Sequence, residues 1–179
     1  AKGVLVNPLL MATDYISHFD RQQTPECTEG REGYVWFNGI QAGQNEAVLK
    51  ASIRDFCRHS FAARKVQIAE VADKIAAQYP TAKVSWHIED TYSNISNAIG
   101  KDRRAIDLMF AAMESLGITP KPTPMRGGTD GAALSAKGLL TPNFFTGAHN
   151  FHSKFEFLPL NSFEASYNTA LQLCLLAAR

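Results

Sequence analysis

Two strand-like segments joined by a short turn constrain the fold of this chain most. Residues 34 to 40 are rich in aromatic and β-branched side chains, which favour strands. Residues 47 to 54 largely alternate between two sets of side chains with a period of two, as a half-buried strand does. Gly43 to Asn45 separate the two segments, which is close enough for a β-hairpin. The sequence therefore predicts an antiparallel hairpin.

The segments around the hairpin predict an α+β fold. Helical spacing of apolar residues predicts helices over 2–20, 60–78 and 103–116, and Gly117 is expected to end the last of these. Alternation over 82–89 predicts a third strand. The expected arrangement is one antiparallel sheet with helices on one face, similar to a ferredoxin-like unit that lacks its first strand.

The character of the sequence changes after residue 117. A Pro-punctuated segment leads to a glycine turn and a short helix, and a strand is predicted within LLTPNFFTGA. Asn161 and Glu164 have the spacing of a capping box at the start of the last helix. We place a domain boundary near 117–121, which gives domains of 1–117 and 118–179.

Composition excludes several classes of protein. The formal net charge of +1 lacks the basic footprint of a nucleic-acid-binding protein. No run reaches the roughly 18 apolar residues of a membrane span, so no membrane partner is expected. The three cysteines, Cys27, Cys57 and Cys174, form no CxxC pair, which argues against a structural zinc site and fits a cytoplasmic protein.

The glycine turn RGGTDGA is the strongest candidate binding motif. Gly127 and Gly128 permit turn conformations, and Thr129 or Asp130 can cap the helix that follows. Arg126 adds a planar fork that can hold a carboxylate through two hydrogen bonds. This arrangement suits a small anionic group such as the C-terminus of a peptide. The alternative is a capped turn with a solvated arginine.

A second candidate site lies in FFTGAHNFHSKFEF. His149 and His152 are three residues apart and could both bind a metal, with Glu156 nearby. A metal site normally needs three or four ligands, so the alternative is a pair of hydrogen-bonded packing residues. The scattered acids, including Asp55, are expected at the surface or at helix caps. GxSxG, HExxH and P-loop motifs are absent from the sequence.

These two motifs, within PMRGGTDGAALSAKGLLTPNFFTGAHNFHSKFEF, resemble the C-terminal part of the peptidase T family. Upstream segments extend the resemblance over nearly the whole chain: AKGVLVN, PECTEGREGY, IRDF, ARK and IEDTYSNI. The resemblance implies a di-zinc aminopeptidase that removes the N-terminal residue from tripeptides. It also implies that residues 1–117 are most of a lid or dimerisation domain, and that 118–179 are the C-terminal segment of a catalytic domain.

The same resemblance implies the roles of individual residues. His152 stands at the position of the family's last zinc-binding histidine, Arg126 at that of an arginine that holds the substrate carboxylate, and Asn94 at that of a lid asparagine that reaches the substrate. The other metal ligands and the catalytic base precede this segment in the family, so no catalytic residue is expected in it. His149 and Phe155 stand where relatives often have Tyr and His, respectively.

The isolated chain is therefore expected to bind zinc weakly, if at all, and to show no turnover. Its expected partners are a tripeptide substrate in the parent protein, and either the N-terminal half or a second copy joined through the lid sheet. Two alternatives stay open. The chain could be a non-catalytic dimerisation module, or it could belong to a related di-zinc peptidase of different specificity.

Overall fold

The structure is a computed structural model that describes residues 2–178. Within that range the chain has an α+β fold, as predicted, with one two-stranded antiparallel sheet and six α-helices. The elements in chain order are α1 (Pro8–Ser17), β1 (Tyr34–Ala42), β2 (Ala47–Arg54), α2 (Arg58–Gln78), α3 (Ile95–Ile99), α4 (Arg104–Ser115), α5 (Asp130–Ala136) and α6 (Leu160–Ala177).

The residues form two compact units. The first contains the residues up to Asp90 together with Pro124–Arg126, and the second contains Thr91–Thr123 together with the residues from Gly127 onward. The sequence placed a boundary near 117, but residues 91–117 cluster here with the C-terminal residues. The assignment of 1–117 to a lid domain stays a prediction.

The predicted hairpin is confirmed. Strand β1 pairs with β2 from Tyr34 opposite Arg54 to Ala42 opposite Ala47, and a bulge interrupts the register between Phe37 and Gly39. The turn is closed by the Gly43 N–H, which donates to the Glu46 carbonyl over 2.8 Å. Its short length brings the two strands into register through local contacts alone.

Helices α1 and α2 both contact the hairpin. Their apolar faces bury the core of the first unit, which consists of Ala12, Tyr34, Val35, Ile68, Val71, Ala72 and Ile75. Helix α1 is shorter than the predicted 2–20. Its start is fixed by Pro8 at the first helical position and by Asn7, whose side chain accepts hydrogen bonds from the N–H groups of Leu9 and Leu10.

Two predicted strands are not formed. Residues 82–89 have no strand assignment, and Trp86 is 53% exposed. The predicted strand within residues 139–148 is also absent, and only an isolated bridge between His149 and Phe157 occurs nearby. Alternation indicates a face that suits a sheet, but a strand also needs a partner backbone. The further strand that the ferredoxin-like comparison required is therefore missing from the described residues.

In the second unit, α4 packs against α6. The buried residues on these helices are Met109, Ala112, Met113 and Thr169. Gly117 ends α4 as predicted. It has φ 73°, and the Ile118 N–H donates to the Met113 carbonyl over 2.9 Å, which completes a Schellman motif.

The capping box predicted for the last helix is wrong. Helix α6 begins at Leu160, after Pro159, and Pro159 makes no side-chain cap hydrogen bond. Asn161 instead lies inside the first turn, where its Oδ1 accepts from the adjacent Ser162 N–H over 3.0 Å. Between residues 2 and 178, no helix is long and apolar enough to cross a membrane.

Candidate functional site

Arg126 is held in a fixed position within the first unit. Its Nη1 donates to the Thr28 carbonyl, and its Nη2 donates to Thr28 Oγ1 over 2.6 Å. The guanidinium carbon lies 4.7 Å from the centre of the Tyr34 ring, in a cation–π contact. The Arg126 carbonyl accepts from Arg54 Nη1 over 3.2 Å. Arg126 is half-buried, so it is an ordered side chain and not the solvated arginine of the alternative interpretation.

A second arginine of the first unit, Arg64, joins three separate segments. Its Nε donates to Asp55 Oδ2 over 3.0 Å, its Nη1 to Gln23 Oε1 over 2.7 Å, and its Nη2 to the Gly33 carbonyl over 3.0 Å. A Cβ added at Gly33 would lie 2.0 Å from Asp55 Oδ2, so this close approach requires glycine.

Asp55 was expected at the surface or at a cap, but its side chain is only 4% exposed. Burial raises the pKa of Asp55, but hydrogen bonds from the Cys57 N–H, Ser60 and Arg64, together with the charge of Arg64, outweigh burial and hold the pKa below its usual value. Asp55 is therefore a buried carboxylate that stays ionised.

The glycine turn leads into α5 as predicted. Thr129 is the N-cap, and its Oγ1 accepts from the Ala132 N–H over 3.3 Å. A Cβ added at Gly131 would lie 2.4 Å from the Thr141 carbonyl oxygen, so glycine permits a close backbone approach there. Helix α5 has only seven residues. Anion binding at this turn would therefore depend on Arg126 and not on the helix dipole.

Asn94 is the N-cap of α3, a helix that the sequence did not predict. Its Oδ1 accepts from the Ser96 N–H over 2.9 Å and from Ser96 Oγ over 2.6 Å, and the residue is half-buried. The carbonyl end of the side chain is therefore engaged in capping. The part of Asn94 that can serve a ligand is the Nδ2 amide, a hydrogen-bond donor.

His152 lies in an exposed loop with an unusual backbone. It has φ 62° and Asn150 has φ 55°, and both values are uncommon for residues other than glycine. The His152 N–H donates to Glu156 Oε2 over 3.1 Å. The loop is closed by two backbone hydrogen bonds between His149 and Phe157, of 2.9 and 3.2 Å, and the two rings stack at 5.1 Å.

Within residues 2–178, His152 is not part of a group of side chains that could hold a metal ion. Among residues 2–178, no group of three or more His, Cys, Asp or Glu side chains could hold a metal ion. Because a protein zinc site uses at least three protein ligands, the residues described here do not make one by themselves. The three cysteines are free and exposed.

The predicted site residues are divided between the units. Arg126 belongs to the first, and Asn94 and His152 belong to the second. Thr28 and Arg64 lie in the PECTEGREGY and ARK motifs, but no role was predicted for either from the sequence. Thr28 is 98 positions from Arg126, and no local spacing could have paired them.

Curated relatives match along the whole chain. A peptidase T-like protein from Yersinia pestis is 63% identical over 179 residues, which is 100% of this chain and 44% of that protein. Peptidase T from Aeromonas hydrophila is 39% identical over 97% of this chain and 42% of its own length. The resemblance to peptidase T is confirmed. The chain spans less than half the length of these peptidase T relatives, and no family model matches it.

Two solved structures share the fold of this chain over part of their length. Aminopeptidase PepT from Bacillus cereus aligns with a TM-score of 0.67 and 14% identity, over 97% of this chain and 46% of that chain. A tripeptidase from Staphylococcus aureus aligns with a TM-score of 0.66 and 16% identity, with the same coverage. At these identities the alignments support the fold alone.

Proposed function

We propose that this chain is part of a metal-dependent tripeptide aminopeptidase of the peptidase T type. The proposal rests on the similarity of this chain to peptidase T from Aeromonas hydrophila, which is 39% identical over 97% of the chain. The motifs of the resemblance also meet in space. Thr28, Tyr34 and Arg54 all contact Arg126 within one compact unit.

Arg126 would hold the C-terminal carboxylate of the substrate. A guanidinium carries five N–H groups, and Thr28 accepts from two of them, which leaves three. A carboxylate needs two donors for a bidentate pair. A tripeptide would in this way be positioned by its C-terminal carboxylate. In a longer peptide that carboxylate would lie further along the site.

Asn94 would donate from Nδ2 to an oxygen of the substrate, because its Oδ1 caps α3. His152 would be one zinc ligand in the longer protein, and its left-handed backbone supports a functional role, since strained residues concentrate at functional sites. Two zinc ions would need further ligands from residues outside this chain. The catalytic base would also come from outside it.

The isolated chain would then show no turnover. The 1–117 segment would act as a lid, and the longer protein would work in the cytoplasm. The test is to assay the longer protein and the isolated chain on a tripeptide, a tetrapeptide and an N-acetylated tripeptide. The proposal predicts that only the longer protein releases the N-terminal residue, and only from the free tripeptide. Turnover of the acetylated peptide, or a preference for the tetrapeptide, would contradict it.

A second candidate function is association through the hairpin. Trp36, Ile40 and Val48 lie on β1 and β2 and are 46% to 49% exposed. An open two-stranded sheet with exposed apolar side chains invites pairing with another chain. This favours either the N-terminal half or a second copy as a partner. Light scattering of the longer protein distinguishes these, since a monodisperse monomer would exclude the homodimer.

A further inference from the structure

We propose that Thr28 is a positioning residue that orients Arg126 for the carboxylate of the substrate. The inference rests on the proposed function of Arg126. Thr28 provides two acceptors to one guanidinium, its backbone carbonyl and its Oγ1. Two contacts from a single residue fix both the position of the guanidinium and its rotation within its plane.

The direction of the Thr28 hydroxyl supports this role. Thr28 Oγ1 donates its only proton to the Thr24 carbonyl over 2.7 Å. The same carbonyl accepts from the Cys27 N–H over 3.1 Å and so closes a short 3-10 turn over Pro25–Cys27. Because the proton is used there, the lone pairs of Thr28 Oγ1 are the groups that face Arg126. The hydroxyl is thereby fixed as an acceptor.

Arg64 and Arg126 differ in how their charge is balanced, and the difference favours an anionic ligand at Arg126. Arg64 is paired with the buried carboxylate of Asp55. Within the residues that the structure describes, Arg126 has no carboxylate partner, and Thr28 offers it only neutral oxygens. Thr28 therefore holds Arg126 without neutralising it, and the charge stays available to a carboxylate.

Tyr34 completes the support of the guanidinium. Its side chain is buried, with 8% exposure, and its ring lies against one face of the Arg126 guanidinium at 4.7 Å. Tyr34 is itself held by its place in β1, opposite Arg54 of β2. The ring restricts the plane of the guanidinium, and Thr28 restricts the rotation within that plane.

The test compares Thr28→Val with Thr28→Ser in the longer protein. Valine has nearly the shape of threonine but lacks the hydroxyl acceptor, whereas serine keeps it. Each variant is assayed on a tripeptide and on the same tripeptide with a C-terminal amide. We expect Thr28→Val to raise the KM for the tripeptide about tenfold, since it removes a hydrogen bond to a charged group. The KM for the amide should change little, and Thr28→Ser should behave as the parent.

Several outcomes would overturn the inference. The first is an unchanged KM for the tripeptide in Thr28→Val. The second is an equal rise in KM on both substrates. The third is a rise in KM in Thr28→Ser that matches the rise in Thr28→Val. If thermal unfolding shows that the valine variant does not fold, Thr28→Ala removes the same hydroxyl and replaces it in the assay.

Arg126→Ala, assayed in parallel, separates the two proposals. If Arg126→Ala loses activity equally on the tripeptide and on its amide, Arg126 does not hold the carboxylate, and the role proposed for Thr28 is excluded with it. If Arg126→Ala loses activity mainly on the tripeptide but Thr28→Val loses it equally on both substrates, only the role proposed for Thr28 is excluded.

Discussion

Arg64 Nε lies 3.0 Å from Asp55 Oδ2, and both side chains are largely buried, with exposures of 15% and 4%. This ion pair connects the end of the hairpin, where Asp55 follows β2, to helix α2. Arg64 also reaches Gln23 and the Gly33 carbonyl, so its guanidinium joins α2 to three other segments of the first unit. Loss of either charge would leave the other buried without an opposite charge beside it.

Asp55→Asn should therefore destabilise the protein substantially. Removal of one member of a buried ion pair costs about 3 kcal/mol, because the remaining charge is left uncompensated. The matched control is Asp90→Asn. Asp90 pairs with Lys65 on the surface, where its side chain is 60% exposed, and its loss should cost below about 1 kcal/mol. Urea unfolding of both variants measures the difference, and equal costs would show that the buried pair is not a structural link.

The raised pKa of Tyr15 predicts that the protein loses stability at high pH. Burial raises the pKa of Tyr15 from 10.0 to about 12, and its hydroxyl donates to the Ile68 carbonyl over 2.9 Å. A raised folded-state pKa means that the stabilising effect is fully present below about pH 10 and is lost as the pH rises through about 12. The free energy of unfolding should fall across this range.

Tyr15→Phe should flatten that pH dependence and cost about 1 kcal/mol at neutral pH, since it removes one hydrogen bond. Tyr167→Phe is the control, because the Tyr167 side chain is 59% exposed and the change removes no buried hydroxyl. Urea unfolding at a series of pH values gives both results. A Tyr15→Phe variant with the parent's pH profile would exclude Tyr15 as the cause.

His152 should determine the metal content of the longer protein. His152→Asn is the suitable change, because asparagine tolerates a left-handed backbone such as φ 62° but removes the imidazole. We expect this variant to lose at least one bound zinc ion, measured by elemental analysis after dialysis. The control is His149→Asn, which alters a ring stacked on Phe157 and should keep the metal. An unchanged zinc content in His152→Asn would exclude His152 as a ligand.

The parts of the fold that could be predicted from the sequence are those with local signals. The hairpin has a short turn between two strand-like runs, and Gly117 ends α4 with a backbone conformation that favours glycine. The strand predicted over 82–89 had a pattern of equal quality, but no strand among the residues that the structure describes pairs with it. The alternation describes one face of a segment and says nothing of its partner.

The candidate site could be predicted only residue by residue. Arg126 was predicted because a glycine turn beside an arginine is a recognisable pattern, and His152 because it lies in a motif of the resemblance. The contact between Arg126 and Thr28 joins positions 98 residues apart, and the burial of Asp55 depends on Arg64 of a different element. Such contacts arise from tertiary packing, and the spacing of residues along the sequence does not reveal them.

The measurement that tests the account most directly compares Arg126→Ala with the parent in the longer protein, on a tripeptide and on its C-terminal amide. If Arg126 holds the carboxylate, kcat/KM for the tripeptide should fall at least about tenfold more than kcat/KM for the amide. Arg126→Lys, which keeps the charge but loses the planar fork, should give an intermediate loss on the tripeptide. Equal losses on both substrates in Arg126→Ala would contradict the account.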